Sequence, residues 1–62
     1  MMQWLVTGTF NKMEYQHLIE IRIKGSFEVT TRAATRSEAE RKIRLILEQR
    51  SFKIIDLKAE LN

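Results

Sequence analysis

The 62-residue chain contains no cysteine and no proline, and it has only two glycines and a single histidine. Without cysteine no disulfide can stabilise it, and nothing indicates an oxidising compartment. No apolar stretch approaches the roughly 18 residues of a membrane span, and the N-terminus lacks the basic and apolar regions of a signal peptide. The sequence therefore predicts one small soluble domain, which we expect in the cytoplasm. A chain this short buries only about 60% of its unfolded surface, so a well-packed core or self-association has to stabilise it.

Patterns that carry catalysis or bind cofactors are also missing. The serines lie at expected turns or helix ends, where hydroxyl groups satisfy the backbone, and no base is placed to activate them. His17 is expected on the apolar face of a sheet, between Gly8 and Ala33 and without a carboxylate. We interpret it as a space-filling residue, with a pH-sensitive or ligand-contacting role as the alternative. The sequence thus predicts a protein that is not an enzyme and that needs no cofactor and no metal.

Apolar and polar residues alternate in four segments, which predicts four strands at residues 4–10, 15–24, 27–33 and 54–61. A four-residue loop, Asn11–Glu14, is predicted between the first two strands. A three-residue loop, Lys24–Ser26, is predicted between the second and third. These two registers keep one sheet face apolar, whereas a two-residue loop at Gly25 and Ser26 would mix the faces.

Between the third and fourth strands the sequence contains a clear helix start. Thr35 can cap the first backbone N–H groups, and Glu38 is placed to complete a capping box. The predicted helix runs from about Arg36 to Arg50, with Leu45 on its exposed side. Its buried stripe follows helical spacing and consists of Ala39, Ile43, Ile46 and Leu47.

These elements predict an α+β fold with the element order β-β-β-α-β. The sheet is expected to be four-stranded and mixed, with one helix packed on one face. A right-handed connection through the helix would make the third and fourth strands parallel. We favour the strand order 4-1-2-3, with 1-2-3-4 as the alternative.

The charges and the exposed apolar residues indicate how such a protein could act. Leu5, Leu18 and Ile54 interrupt the polar outer face, and in the favoured strand order they form one patch for a protein partner or a homodimer. The leading hypothesis is a small accessory protein that binds another protein through its outer sheet face or an edge strand. All of the net charge of +3 comes from residues 32–62, which supports weak nucleic-acid binding as the alternative. That alternative uses the basic residues Arg22, Lys24, Arg32, Arg36, Arg41, Arg44 and Lys58.

The second half of the sequence also resembles known small proteins. Residues 27–61 contain an alternating strand that ends in Ala-Ala-Thr, a Ser-Glu-Ala helix start and an isoleucine-rich last strand. In these features the segment resembles the strand–helix–strand half of several small proteins carried by phages and mobile elements. The resemblance implies an accessory protein of such an element, and it indicates no single family.

Overall fold

The computed structural model describes all 62 residues, which form three strands and one helix. β1 comprises Met2–Gln16, β2 Ile19–Ala33, α1 Arg36–Gln49 and β3 Phe52–Leu61. The sheet order is β2-β1-β3, and β1 is antiparallel to both of its neighbours. The connection through α1 therefore joins two strands that run in the same direction on either side of β1. The α+β class agrees with the sequence prediction, but the four-stranded sheet is wrong.

The error lies in the first half of the chain, where three predicted strands are in fact two long ones. Both predicted loops, Asn11–Glu14 and Lys24–Ser26, lie inside continuous strands. The chain reverses instead at His17 and Leu18, whose φ angles are 51° and 66°. Positive φ at both central residues is typical of a type I′ turn, which usually contains Asn and Gly. The turn was missed because neither residue carries that signal, and His17 lies in the turn rather than on the apolar face.

Gly25 lies inside β2 because an aromatic ring fills the space above it. Phe10 of β1 lies opposite Gly25, and Phe27 of β2 lies opposite Gly8. A Cβ atom added at either glycine would be only 2.7–2.8 Å from the facing ring. The two Gly-x-Phe segments therefore pair reciprocally, and each ring replaces the side chain that its glycine lacks.

A β-bulge in β3 changes which of its side chains face the helix. Thr9 pairs with Asp56, but the next residue, Phe10, pairs with Ile54, so Ile55 has no partner in β1. The extra residue shifts the alternation by one position. Ile54 is consequently on the helix side of the sheet, where the sequence predicted it on the outer face, and Ile55 is exposed.

The core lies between α1 and the half of the sheet in which all three strands are present. Phe27, Val29, Leu47 and Leu57 pack around it. The indole Nε1 of Trp4 donates a hydrogen bond to the carbonyl oxygen of Ala33 at 2.9 Å, so this buried polar group is satisfied. The six buried residues are Trp4, Val6, Ala33, Ala39, Ile43 and Ala59.

α1 begins where the sequence predicts. Thr35 has an extended backbone, and its Oγ1 accepts the N–H of Glu38 at 3.2 Å. Leu45 is exposed as expected. Ile46, which was predicted to be buried, is also exposed, so the buried stripe contains one residue fewer than predicted. No helix is long and apolar enough to cross a membrane.

The hairpin extends well beyond this core. The last pair between β1 and β3 joins Lys12 to Phe52, which follows α1 after a two-residue turn. Residues 13–22 continue past that pair as two strands without a third. We call this segment the hairpin arm. It contributes to the elongated shape of the molecule, whose extents are 45 × 17 × 13 Å.

Candidate interaction surface

The structure does not bring the three residues of the predicted apolar patch together. Leu5 is half-buried on the outer face, where Thr30 and Glu60 are its neighbours in the register. Leu18 is fully exposed in the turn at the tip of the hairpin arm, and Ile54 is on the helix side of the sheet. One contiguous patch is therefore wrong, because the missed turn and the missed bulge each moved one member away.

The basic residues proposed for nucleic acid are divided between two surfaces. Four of them, Arg22, Lys24, Arg32 and Lys58, are on the outer face of the sheet. The other three, Arg36, Arg41 and Arg44, are exposed on α1, which covers the opposite face. A single flat ligand surface cannot contact all seven.

Lys58 is the member of this set with the clearest ionic partner. Its Nζ lies 2.7 Å from Oε1 of Glu60, and this hydrogen bond is the main reason why the pKa of Glu60 is below its ordinary value. Both groups are exposed, so the pair adds little to stability. Lys58 is therefore less available to a ligand than the basic residues near the hairpin arm.

Arg22, Lys24 and Lys53 form a small basic cluster at the base of the hairpin arm. Lys53 was not among the basic residues predicted from the sequence. Lys24 and Lys53 lie on either side of Asn11, and Arg22 is in the next row, opposite Met13. Lys53 has this position because β3 begins at Phe52, two residues before the predicted start of that strand at residue 54, and because the bulge changes the alternation of the strand. Oδ1 of Asn11 is buried and has no hydrogen-bond partner. A cleft of about 220 Å³ lies beside Asn11, Arg22 and Lys53, whereas Lys24 does not line it.

Three isoleucines project from the helix side of the hairpin arm and its base. Ile19 is 61% exposed and Ile23 is 38% exposed, with Ile21 half-buried between them. We call these three the isoleucine row. Their neighbours across the hairpin are Gln16, Glu14 and Lys12, so no apolar side chain of β1 lies opposite them. The row is therefore an apolar strip left without a covering layer.

The edge of β3 is protected by the helix. The backbone N–H of Ala59 points outward, away from β1, and donates to Oε2 of Glu40 at 3.0 Å. The bulge at Ile55 further disturbs this edge. Bulges and covering side chains are two of the devices by which proteins prevent edge strands from pairing with other chains.

The edge of β2 has such protection only at its C-terminal end. There Nζ of Lys42 donates to the carbonyl oxygen of Arg32 at 3.3 Å. Backbone groups alternate in direction along a strand, so those of Glu20, Arg22 and Lys24 also point away from β1. These residues have neither a facing strand nor a side-chain partner for their backbone groups. The chain contains no proline that would block the edge.

A second, wider cleft lies on the outer face above Gly8. Two carboxylates line it, those of Glu28 and Asp56, and the second accepts a hydrogen bond at its Oδ2 from Oγ1 of Thr9 at 2.6 Å. No group of three or more His, Cys, Asp or Glu side chains is arranged to hold a metal ion. The cleft is open and polar, and nothing in it indicates a reaction.

Comparisons with protein-family models, with curated proteins and with solved structures find no match to this chain. The hairpin arm, its isoleucine row and the edge of β2 are the surfaces of the molecule best suited to bind a partner.

Proposed function

We propose that this chain is a small accessory protein that binds another protein chain by strand addition at the edge of β2. The observation that carries the proposal is the run of unpaired backbone groups along Glu20, Arg22 and Lys24, next to the exposed isoleucine row. Strand addition obtains affinity from main-chain hydrogen bonds and specificity from side chains on the two faces. The hairpin arm offers both features on one segment.

The side chains around this edge support the same proposal. Met13, Tyr15, Leu18 and Ile19 are all exposed on the hairpin arm. Fully burying one large apolar side chain contributes about 1.5–3 kcal/mol, so a partner that covered several of them would gain appreciably. In the monomer these groups contribute little to the core, which lies in the other half of the sheet.

Site-specific photo-crosslinking in cells that produce the protein tests this proposal. A photoreactive amino acid replaces Lys24 at the β2 edge in one variant and Arg44 on α1 in a control variant. We expect a discrete protein adduct from the first position and not from the second. Its mass distinguishes a foreign partner from a second copy of the chain.

The edge itself is tested by adding Arg22→Pro or Arg22→Ala to the photoreactive variant. Both changes remove the side-chain charge, but only proline removes the outward N–H. We expect the adduct to be lost with proline and retained with alanine. Equal adducts at both photoreactive positions, or an adduct that is indifferent to proline, would contradict strand addition.

The second candidate function is weak nucleic-acid binding through the basic cluster of Arg22, Lys24 and Lys53. The specific observation in its favour is the position of these three residues on one face around Asn11, whose Oδ1 has no hydrogen-bond partner. A two-stranded ribbon fits the major groove, and phosphate contacts release counterions. Binding to duplex DNA or RNA should then be detectable at low salt and decrease steeply as salt is added. Absence of any binding at low ionic strength would eliminate this candidate.

A further inference from the structure

The segment Ile19-Glu20-Ile21-Arg22-Ile23 is complementary to itself when two copies run antiparallel. If Ile21 faces Ile21 of a second chain, Ile19 faces Ile23, and Glu20 faces Arg22 on both sides of the two-fold axis. All six isoleucines then lie on one face, and two ion pairs lie on the other. Side chains directly opposite each other in antiparallel strands share a face and interact, and opposite charges are favourable there.

The backbone of β2 has the phase that this register needs. In a hairpin closed by a two-residue turn, the residues that flank the turn exchange hydrogen bonds. Inward and outward backbone groups then alternate, so those of Ile21 point toward β1 and those of Glu20 and Arg22 point outward. The outward direction of even-numbered residues agrees with the bond from Lys42 to the Arg32 carbonyl oxygen. Glu20 and Arg22 would therefore form the hydrogen-bonded pairs across the two-fold axis.

We propose that the occupant of the β2 edge is a second copy of this chain, paired antiparallel about Ile21. This inference depends on the proposed strand addition and names its partner. The two hairpin arms would form a four-stranded sheet in the order β1-β2-β2-β1, with the two cores at opposite ends. The contact is isologous, so it closes as a dimer and does not propagate along the edge.

A second self-complementary register is centred on Gly25 and pairs Arg22 with Glu28. In this register the turn of the second chain lies beside Arg32. The carbonyl oxygen of that residue already accepts a hydrogen bond from Lys42. The Gly25 register also places the isoleucine row opposite strand positions that α1 already partly covers. The register about Ile21 avoids both problems, because it uses only the hairpin arm and its base.

Charge exchange tests the register directly. Glu20→Arg makes positions 20 and 22 both cationic, and Arg22→Glu makes both anionic. Since these two positions face each other in the Ile21 register, like charges would meet in a dimer of either variant. We expect each to sediment as a monomer of 7.4 kDa under conditions in which the unmodified chain has twice that mass. An equal mixture of the two variants should form a heterodimer, and the double variant should dimerise again.

Which variants lose the dimer distinguishes the Ile21 register from the Gly25 register, and the mass of the unmodified chain distinguishes either dimer from a monomer. In the Gly25 register Glu20 faces Thr30, so only Arg22→Glu would weaken the dimer and the mixture would not recover it. That outcome, or a monomeric unmodified chain at about 1 mM, would overturn the proposal. A foreign adduct in the photo-crosslinking experiment would still support strand addition in the monomeric case.

A cysteine at the centre gives an independent readout, since the chain has none of its own. Facing residues in a pair without hydrogen bonds have Cα atoms about 4.5 Å apart, which is within the range of a disulfide. Ile21→Cys should therefore form an intermolecular disulfide on mild oxidation. Leu45→Cys is the control, because it is exposed on α1 and distant from the two-fold axis. No preference for Ile21→Cys over this control would overturn the Ile21 register.

Discussion

Gly8 and Gly25 each lie beneath a phenylalanine ring, but their surroundings differ. A Cβ atom at Gly8 would also meet the backbone carbonyl oxygen of Asp56, next to the bulge. At Gly25 the contacting atoms all belong to the ring of Phe10. A ring can turn aside more easily than a paired backbone, so the two glycines should respond differently to substitution.

Gly8→Ala should therefore be the more destabilising of the two changes. We expect it to cost about 1–3 kcal/mol, because β3 would have to move. Gly25→Ala should cost less than about 1 kcal/mol, since the gain in strand propensity offsets the shift of Phe10. Chemical denaturation of both variants measures the difference. Equal losses of stability would show that the close approach at Asp56 does not constrain the bulge.

The turn of the hairpin is the element whose sequence least suits its conformation. His17 and Leu18 both have left-handed backbones, which cost roughly 1–2 kcal/mol for each residue other than glycine. Replacing the pair by Asn and Gly should raise the free energy of unfolding by about 1 kcal/mol or more. The change is measured as a higher denaturation midpoint. Leu18→Ala is the control: it removes the exposed side chain but retains the strain, so it should not stabilise the protein.

The N-cap of α1 provides a test at the same scale. Thr35→Ala removes the acceptor of the Glu38 N–H and should cost about 0.5–2 kcal/mol, whereas Thr35→Ser retains a hydroxyl and should cost less. Circular dichroism during denaturation follows the loss of the helix. A midpoint that is the same in the alanine variant would mean that this hydrogen bond contributes nothing to stability.

The elements that sequence reasoning predicted correctly are those with a local signal. The start of α1 depends on Thr35, whose Oγ1 accepts the N–H of Glu38 three residues on, so the N-cap was predicted correctly. The return bond from the Glu38 carboxylate, which would complete the predicted capping box, does not form. The β1–β2 hairpin depends on contacts between distant residues, above all the reciprocal pairing of the two Gly-x-Phe segments. Gly25 resembles a turn residue when read alone. Only the facing ring of Phe10 makes it suitable for a strand.

The candidate site was predicted less well, because small errors of register move side chains between faces. Arg22 and Lys24 are on the outer face as expected, since alternation within one strand is local. Ile54 was assigned to the wrong face, because a single bulged residue changes the alternation of β3, and Lys53 was left outside the predicted strand. The isoleucine row belongs to the predicted apolar face of the sheet, and its exposure follows only from the length of the hairpin arm.

At the scale of the whole molecule, self-association would couple stability to concentration. Only folded chains associate into the dimer, so the Tm should rise as the protein concentration increases from about 10 μM to 1 mM. We expect this rise for the unmodified chain and for the double Glu20→Arg, Arg22→Glu variant. Either single variant should show a Tm that is independent of concentration. Calorimetry over that range measures the effect, and a flat profile for the unmodified chain would contradict dimerisation.

Because β3 begins at Phe52, it covers only one half of the β1–β2 hairpin, and the two halves should differ in backbone motion. A two-stranded ribbon is only marginally stable in water, so residues 13–22 can open while the three-stranded half and α1 stay folded. In the free chain their amide hydrogens should exchange with solvent much faster than those near Trp4 and Val6. Occupation of the β2 edge would slow this exchange, and part of the binding free energy would be used to restrict the motion. The free hairpin arm can therefore adjust its twist to the strand that it meets.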